Sequence, residues 1–148
     1  MAGSKNILFI EDDKPIAEMY SRVLEREGYH VDFAYNGEEG LQKAGAKHYD
    51  LILLDIMMPH MSGFQVCQRL KNDPKTRDIQ ILMVTALNEL GDIEQASECG
   101  TDDFVSKPVN KLELLTRVKS LLRVRHMKSE LERALTYLNE IEHDDEVL

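Results

Sequence analysis

The chain has no tryptophan, only two cysteines and four prolines among its 148 residues, and aromatic residues make up just 6%. Cys67 and Cys99 show no CxxC spacing and have no histidine at ligand distance. That excludes a zinc ribbon or a disulfide scaffold and reads as two buried, reduced thiols. Long hydrophobic runs are missing too. Near the N-terminus there is only the apolar run 7–10 behind a single lysine, far short of a signal-peptide core. No stretch approaches membrane-spanning length, so a cytoplasmic chain without membrane insertion is expected. Positive charge is also scarce: 18 Lys and Arg against 27 Asp and Glu give a net charge of -9. The imbalance sits in the body, where 11 basic residues face 19 acidic ones up to Asn110, while 7 face 8 from Lys111 onward. Such a body lacks the basic footprint that nucleic acid requires. It suits a divalent cation and basic protein surfaces.

What is present is periodic. Short apolar runs at 6–10, 30–34, 50–54, 79–84 and 104–106 alternate with helical patterns. The third run, Leu51-Ile52-Leu53-Leu54, is apolar at every position, as a strand covered on both faces must be. Ile16, Met19, Tyr20, Val23 and Leu24 recur at helical spacing, and Gly28 closes that helix. Asn36-Gly37 marks a turn before a helix at 38–47 that Gly40 and Gly45 weaken. Ser62 caps a helix at 63–71, a fourth follows from Leu87 to a stop at Gly100, and Asn110 with Glu113 opens the last. The pattern is (βα)5: an α/β doubly wound parallel sheet, flavodoxin-like in its expected 2-1-3-4-5 order.

The last helix runs on too long for such a domain. Its pattern persists from Asn110 to about Ile141 without Gly or Pro, roughly 47 Å at 1.5 Å per residue. Residues Leu114 to Leu122 can pack on the sheet. Beyond them Val124, Met127, Leu131, Ala134, Leu138 and Ile141 keep strict 3–4 spacing, the seam of a short coiled coil. Residues 1–122 are therefore expected to form the domain, and 123–148 a helical extension serving as a coiled-coil linker or homodimer contact. The basic residues Arg117, Lys119, Arg123, Arg125 and Lys128 on this helix read as a solvated face.

In a doubly wound sheet the functional crevice lies beyond the C-terminal strand ends. Glu11-Asp12-Asp13 follows the first strand, Asp55 the third, Thr85-Ala86 the fourth and Lys107-Pro108 the fifth. Carboxylates gathered there repel one another unless a cation joins them. Mg²⁺ suits such a site, because it keeps several waters beside one or two carboxylates and a phosphate. A carboxylate can also act as nucleophile and form an aspartyl phosphate. Mg²⁺, the Lys107 ammonium and the Thr85 hydroxyl could then each take one phosphoryl oxygen, with Ala86 leaving room and offering its N–H.

Four segments, Ile7 to Asp13, Leu53 to Gly63 with its Asp-x-x-Met-Pro-x-Met-x-Gly pattern, Val84-Thr85-Ala86 and Asp102 to Pro108, resemble the response-regulator receiver family of two-component signalling in order and spacing. The resemblance covers about residues 5–122. It implies a phosphorylation-activated switch, not an enzyme, with Asp55 as phosphoacceptor and a histidine kinase or histidine phosphotransfer protein as donor. It implies Mg²⁺ held by Asp12 and Asp55, by the Met57 backbone carbonyl, and by Glu11 through water. Asp13 is the competing ligand if the register slips by one. It further implies a cis Lys107-Pro108 bond and a switch pair, Thr85 and Phe104, that changes the face made by the fourth helix, the fifth strand and the last helix. The five histidines, His30, His48, His60, His126 and His143, read as surface residues and not as phosphodonors.

Two other readings stay open. A Mg²⁺-dependent aspartyl-phosphate hydrolase usually places an acid two residues after its nucleophile, where this chain has Met57. A pseudo-receiver that only dimerises has no need of so repulsive a cluster.

Overall fold

The structure is a computed structural model that describes residues 5–86 and 98–147, without the side chains of residues 85 and 142–147. Strands β1 (Asn6–Ile10), β2 (His30–Ala34), β3 (Leu51–Asp55), β4 (Gln80–Thr85) and β5 (Asp103–Ser106) form one sheet in the order β2-β1-β3-β4-β5. All neighbouring pairs are parallel. Helices α1 (Lys14–Arg26), α2 (Gly37–Ala46) and α3 (Gly63–Asn72) follow the first three strands. The C-terminal helix, α4, spans Lys111–Val147. The expected helix after β4 falls mostly on residues 87–97, outside the described residues; residues 98–99 are helical and Gly100 follows with φ +89°.

Side-chain alternation divides the core in two. Leu8, Ile10, Ile52, Leu54, Ile81 and Met83 point to one face, where Val66, Cys67 and Leu70 of α3 cover them. Ile7, Phe9, Leu51, Leu53, Leu82 and Val84 point to the other, under Tyr20 and Leu24 of α1 and Leu114, Val118 and Leu121 of α4. Every residue of β3 is buried, as expected for a central strand covered on both faces. The strand itself sits one residue later than its apolar run. Asp50 leaves the ladder and accepts a hydrogen bond from the Asn6 N–H at 3.0 Å, while Asp55 pairs in register with Val84.

The caps are local and strong. Asp13, Asn36 and Ser62 accept from backbone N–H groups in the first turns of α1, α2 and α3. Ser62 and Gln65 complete a reciprocal capping box. Asn110 accepts from Leu112 and Glu113 at the start of α4.

The two glycines of α2 differ in purpose. A Cβ on Gly40 would lie 2.5 Å from Ile10 Cδ1, whereas one on Gly45 meets nothing within 4 Å. Gly40 is what lets α2 lie against β1; Gly45 only weakens the helix. Gly45→Ala is therefore expected to stabilise the fold by about 0.5–1 kcal/mol. Gly40→Ala should destabilise it by roughly 1–3 kcal/mol despite the better helix former. Urea titration of both variants checks the pair, and equal effects would remove the packing argument.

The C-terminal helix leaves the sheet intact and continues past Ile141 to Val147. Arg125 is not a solvated residue. Its Nη1 donates to the Asp78 carbonyl at 2.7 Å, its Nη2 lies 3.2 Å from His48 Nε2, and its side chain is 17% exposed. Arg117 and Lys119 pair with Asp103 and Glu27 near the surface. The stripe residues Val124, Met127, Leu131, Leu138 and Ile141 are all exposed. No helix among the described residues is long and apolar enough to cross a membrane.

Candidate phosphoacceptor site

Parallel register carries the ends of β1, β3 and β5 to one rim of the sheet, and the acidic residues meet there. The Glu11 N–H still bonds to the Ala34 carbonyl at 3.0 Å, extending the β1–β2 ladder, so its side chain is held inward and is 0% exposed. Asp12 is exposed at the mouth. Asp13 turns away, its carboxylate accepting from the Ile16 N–H at 3.3 Å as the cap of α1. Oxygen atoms of Glu11, Asp12 and Asp55 lie within 4.8 Å of one another. Glu11 and Asp12 thus cluster with Asp55, while Asp13 caps α1.

Asp55 is 3% exposed at the end of β3. Its Oδ1 accepts from the Met57 N–H at 3.4 Å and lies 3.5 Å from Lys107 Nζ. Lys107 follows β5, joined to Pro108 by a cis peptide bond as expected. Its ammonium donates to Glu11 Oε1 at 2.7 Å. Burial alone would lower the Lys107 pKa, but Glu11 and Asp55 hold it above the ordinary value. Burial, with a hydrogen bond to Asp55, pushes the Glu11 carboxyl up to about 8, against the opposing pull of Lys107.

Thr85 ends β4 beside Ser106 of β5; its hydroxyl lies outside the described residues. Ala86 is exposed at the same rim. Phe104 lies opposite Met83 and packs, half-buried, against the α3-side core. Met57 has an exposed side chain, so only its backbone engages the crevice.

The loop after β3 holds residues whose roles the motif alone did not explain. A Cβ on Gly63 would fall 2.3 Å from the Asp55 carbonyl oxygen, so only glycine lets α3 begin directly beside Asp55. His60 sits at φ +69°, where a side chain is uncommon, and reverses the chain between Pro59 and Met61. Farther off, Asp102 accepts from the Ile81 N–H at 2.7 Å and from Lys71 Nζ at 3.1 Å, tying α3 to the entry of β5. Nothing in one-dimensional spacing marks that clasp, because its three residues belong to separate elements.

The site also fits a hard cation. Glu11 Oε2 is buried without a hydrogen-bond partner among the described residues. Among the described residues, three clustered carboxylates are met by one ammonium. All the ligand atoms are oxygens, the donors Mg²⁺ prefers.

Strand order and acidic crevice together are those of a CheY-like fold. A family model of the response regulator receiver domain matches residues 7–119. The chain belongs to that family, the phosphorylation-activated switch of two-component signalling. It is 45% identical over 117 residues to the DNA-binding dual master transcriptional regulator RpaA of Synechocystis sp., covering 79% of this chain and 48% of that one. It is 41% identical over 128 residues to the response regulator PleD of Caulobacter vibrioides, covering 86% and 28%. The chain thus spans about half or less of these curated relatives. Among solved structures, a CheY-like receiver domain protein of Methanospirillum hungatei superimposes with a TM-score of 0.80 at 30% identity, covering 85% of this chain and 99% of that one. The receiver domain of the sensor histidine kinase PA1611 of Pseudomonas aeruginosa, with magnesium coordinated in its active-site cleft, gives 0.75 at 25% identity, covering 81% and 98%.

Proposed function

We propose that this chain takes a phosphoryl group on Asp55 from the phosphohistidine of a histidine kinase or phosphotransfer protein, and that Asp12, Asp55, the Met57 carbonyl and, through water, Glu11 hold Mg²⁺. The observation that carries the reading is the convergence of Glu11, Asp12, Asp55 and Lys107 at one rim of the sheet. In the transfer, the donor N–P bond breaks as a bond from an Asp55 carboxylate oxygen to phosphorus forms, and the departing imidazole regains its lone pair. Lys107 lies within reach to balance charge on the arriving oxygens, and the Ala86 N–H and Thr85 hydroxyl would complete the cradle. Bound Mg²⁺ supplies charge neutralisation that three carboxylates and one lysine lack. Met57 places no acid beside Asp55, which favours a held phosphoryl group over a hydrolase's turnover. The phosphoryl group favours one of two states, and Thr85 and Phe104 then pass the change to the β5 and α4 surface.

The test is direct. Acetyl phosphate with Mg²⁺ should add one acid-labile phosphoryl group per chain, and chelation with EDTA should prevent it. An unchanged mass in the presence of Mg²⁺ would sink the proposal.

The exposed stripe of α4 supports a second copy of this chain as partner of an extension beginning near residue 123. Beryllofluoride with Mg²⁺ is expected to shift the sedimentation coefficient at constant protein concentration. A chain truncated after Arg123 should remain a monomer either way. Association that survives the truncation would place the contact elsewhere.

A further inference from the structure

Two cysteines far apart in sequence meet in the core on the α3 side of the sheet. Cys67 lies on the buried face of α3, and Cys99 is the helical residue just before Gly100, from which the chain leads to β5. They are 0% and 8% exposed, and no disulfide joins them. The Cys67 thiol donates to the Cys99 carbonyl oxygen at 3.2 Å. The same Cys67 proton is shared with the neighbouring Cys99 sulfur. Both belong to the cluster against which Phe104 packs.

We propose that Cys67 and Cys99 form a redox-active dithiol that a small disulfide closes into a bridge between α3 and the chain entering β5. The pair is asymmetric in the way such chemistry requires. Cys99 is the less buried, and the hydrogen bond from Cys67 lowers its thiol to about 7, so it presents the attacking thiolate near neutral pH. Cys67 is raised by that same hydrogen bond and by burial, and it is sealed from solvent, so it resolves. Cys99 attacks one sulfur of the oxidant. The oxidant's S–S bond breaks, a mixed disulfide forms on Cys99, and the departing thiolate takes up a proton. Cys67 then attacks Cys99 Sγ, gives up its own proton, and releases the second small thiol. Two protein thiols are oxidised, and one small disulfide is reduced to two thiols. Disulfides of this transient kind are the ones that reducing compartments use as sensors. The bridge tethers the segment that feeds Phe104 into β5, which makes its effect on Asp55 depend on the switch reading above.

Hydroxyethyl disulfide is the probe. The folded full-length chain should lose two hydrogens in mass and all alkylatable thiol, reversibly with dithiothreitol. Cys67→Ala should stop at a stable mixed disulfide on Cys99, and Cys99→Ala should react roughly tenfold more slowly. Circular dichroism confirms that each variant is folded. A native chain that stays fully reduced while its urea-unfolded form reacts overturns the proposal, as do single variants that react at equal rates. A bridge that leaves acetyl phosphate labelling unchanged overturns the link to Asp55 while the thiol site stands. If neither redox form is labelled, the failure belongs to the phosphorylation reading.

Discussion

Asparagine in place of Asp55 is expected to abolish labelling by acetyl phosphate, leaving no more than about one part in a hundred of the wild-type incorporation. The amide that replaces the carboxylate is a poor nucleophile and no longer draws a cation. The shape of the site should survive, because the side chain's only backbone partner among the described residues is the Met57 N–H, to which the amide oxygen can still accept at a similar distance. Thermal denaturation should therefore show a folded variant, and intact-mass spectrometry at neutral and acidic pH reads the phosphoryl group. Persistent labelling would move the acceptor to another carboxylate. Asp12 is the first to check, since it is the exposed member of the same cluster.

Glu11→Gln should make the cation-free protein more stable while weakening its response to Mg²⁺. Glu11 is fully buried, one of its oxygens has no partner among the described residues, and Asp55 stands beside it. The sign follows from linkage. The Glu11 carboxyl titrates at about 8 in the fold against 4.5 ordinarily. Between those values the folded chain binds the proton more tightly than the unfolded one, so stability falls as pH rises through that window. The loss should be on the order of 5 kcal/mol in EDTA. Glu11→Gln should flatten that slope. Saturating Mg²⁺ should reverse it in the wild type, because a cation in the cluster favours the ionised carboxylate. Urea titrations at several pH values, with and without Mg²⁺, measure all of this. A wild-type slope that is the same with and without Mg²⁺ would separate Glu11 from the metal.

Much of the fold was legible because its rules are local. Leu51 to Leu54 announced a central strand, and Ser62, Asn110 and Gly28 marked helix ends that the structure repeats. That Asp55 and Lys107 would be neighbours was legible because strand ends in this topology converge. The acidic triple was only half resolved by sequence, since Asp12 and Asp13 are chemically identical. What separates them is that α1 claims Asp13 as its cap. Gly40 looked like a weak point in a helix, and only the distance to Ile10 shows why a larger residue would not fit. Arg125 seemed one more surface cation because its partners, Asp78 and His48, are 47 and 77 positions away. Long-range polar pairing of that kind leaves no periodic trace.

Arg125 also makes the long helix a lever with a defined fulcrum. One continuous element packs on the sheet through Leu114, Val118 and Leu121, is clamped at Arg125, and projects from there to Val147. The free arm is roughly 33 Å long at 1.5 Å per residue. A tilt of about 10° at the sheet would sweep its tip by roughly 6 Å, larger than the helix pitch of about 5.4 Å. Small repacking where α4 meets Leu82, Val84 and Val105 would thus arrive at the far end as a displacement wide enough to make or break contact with whatever that arm touches.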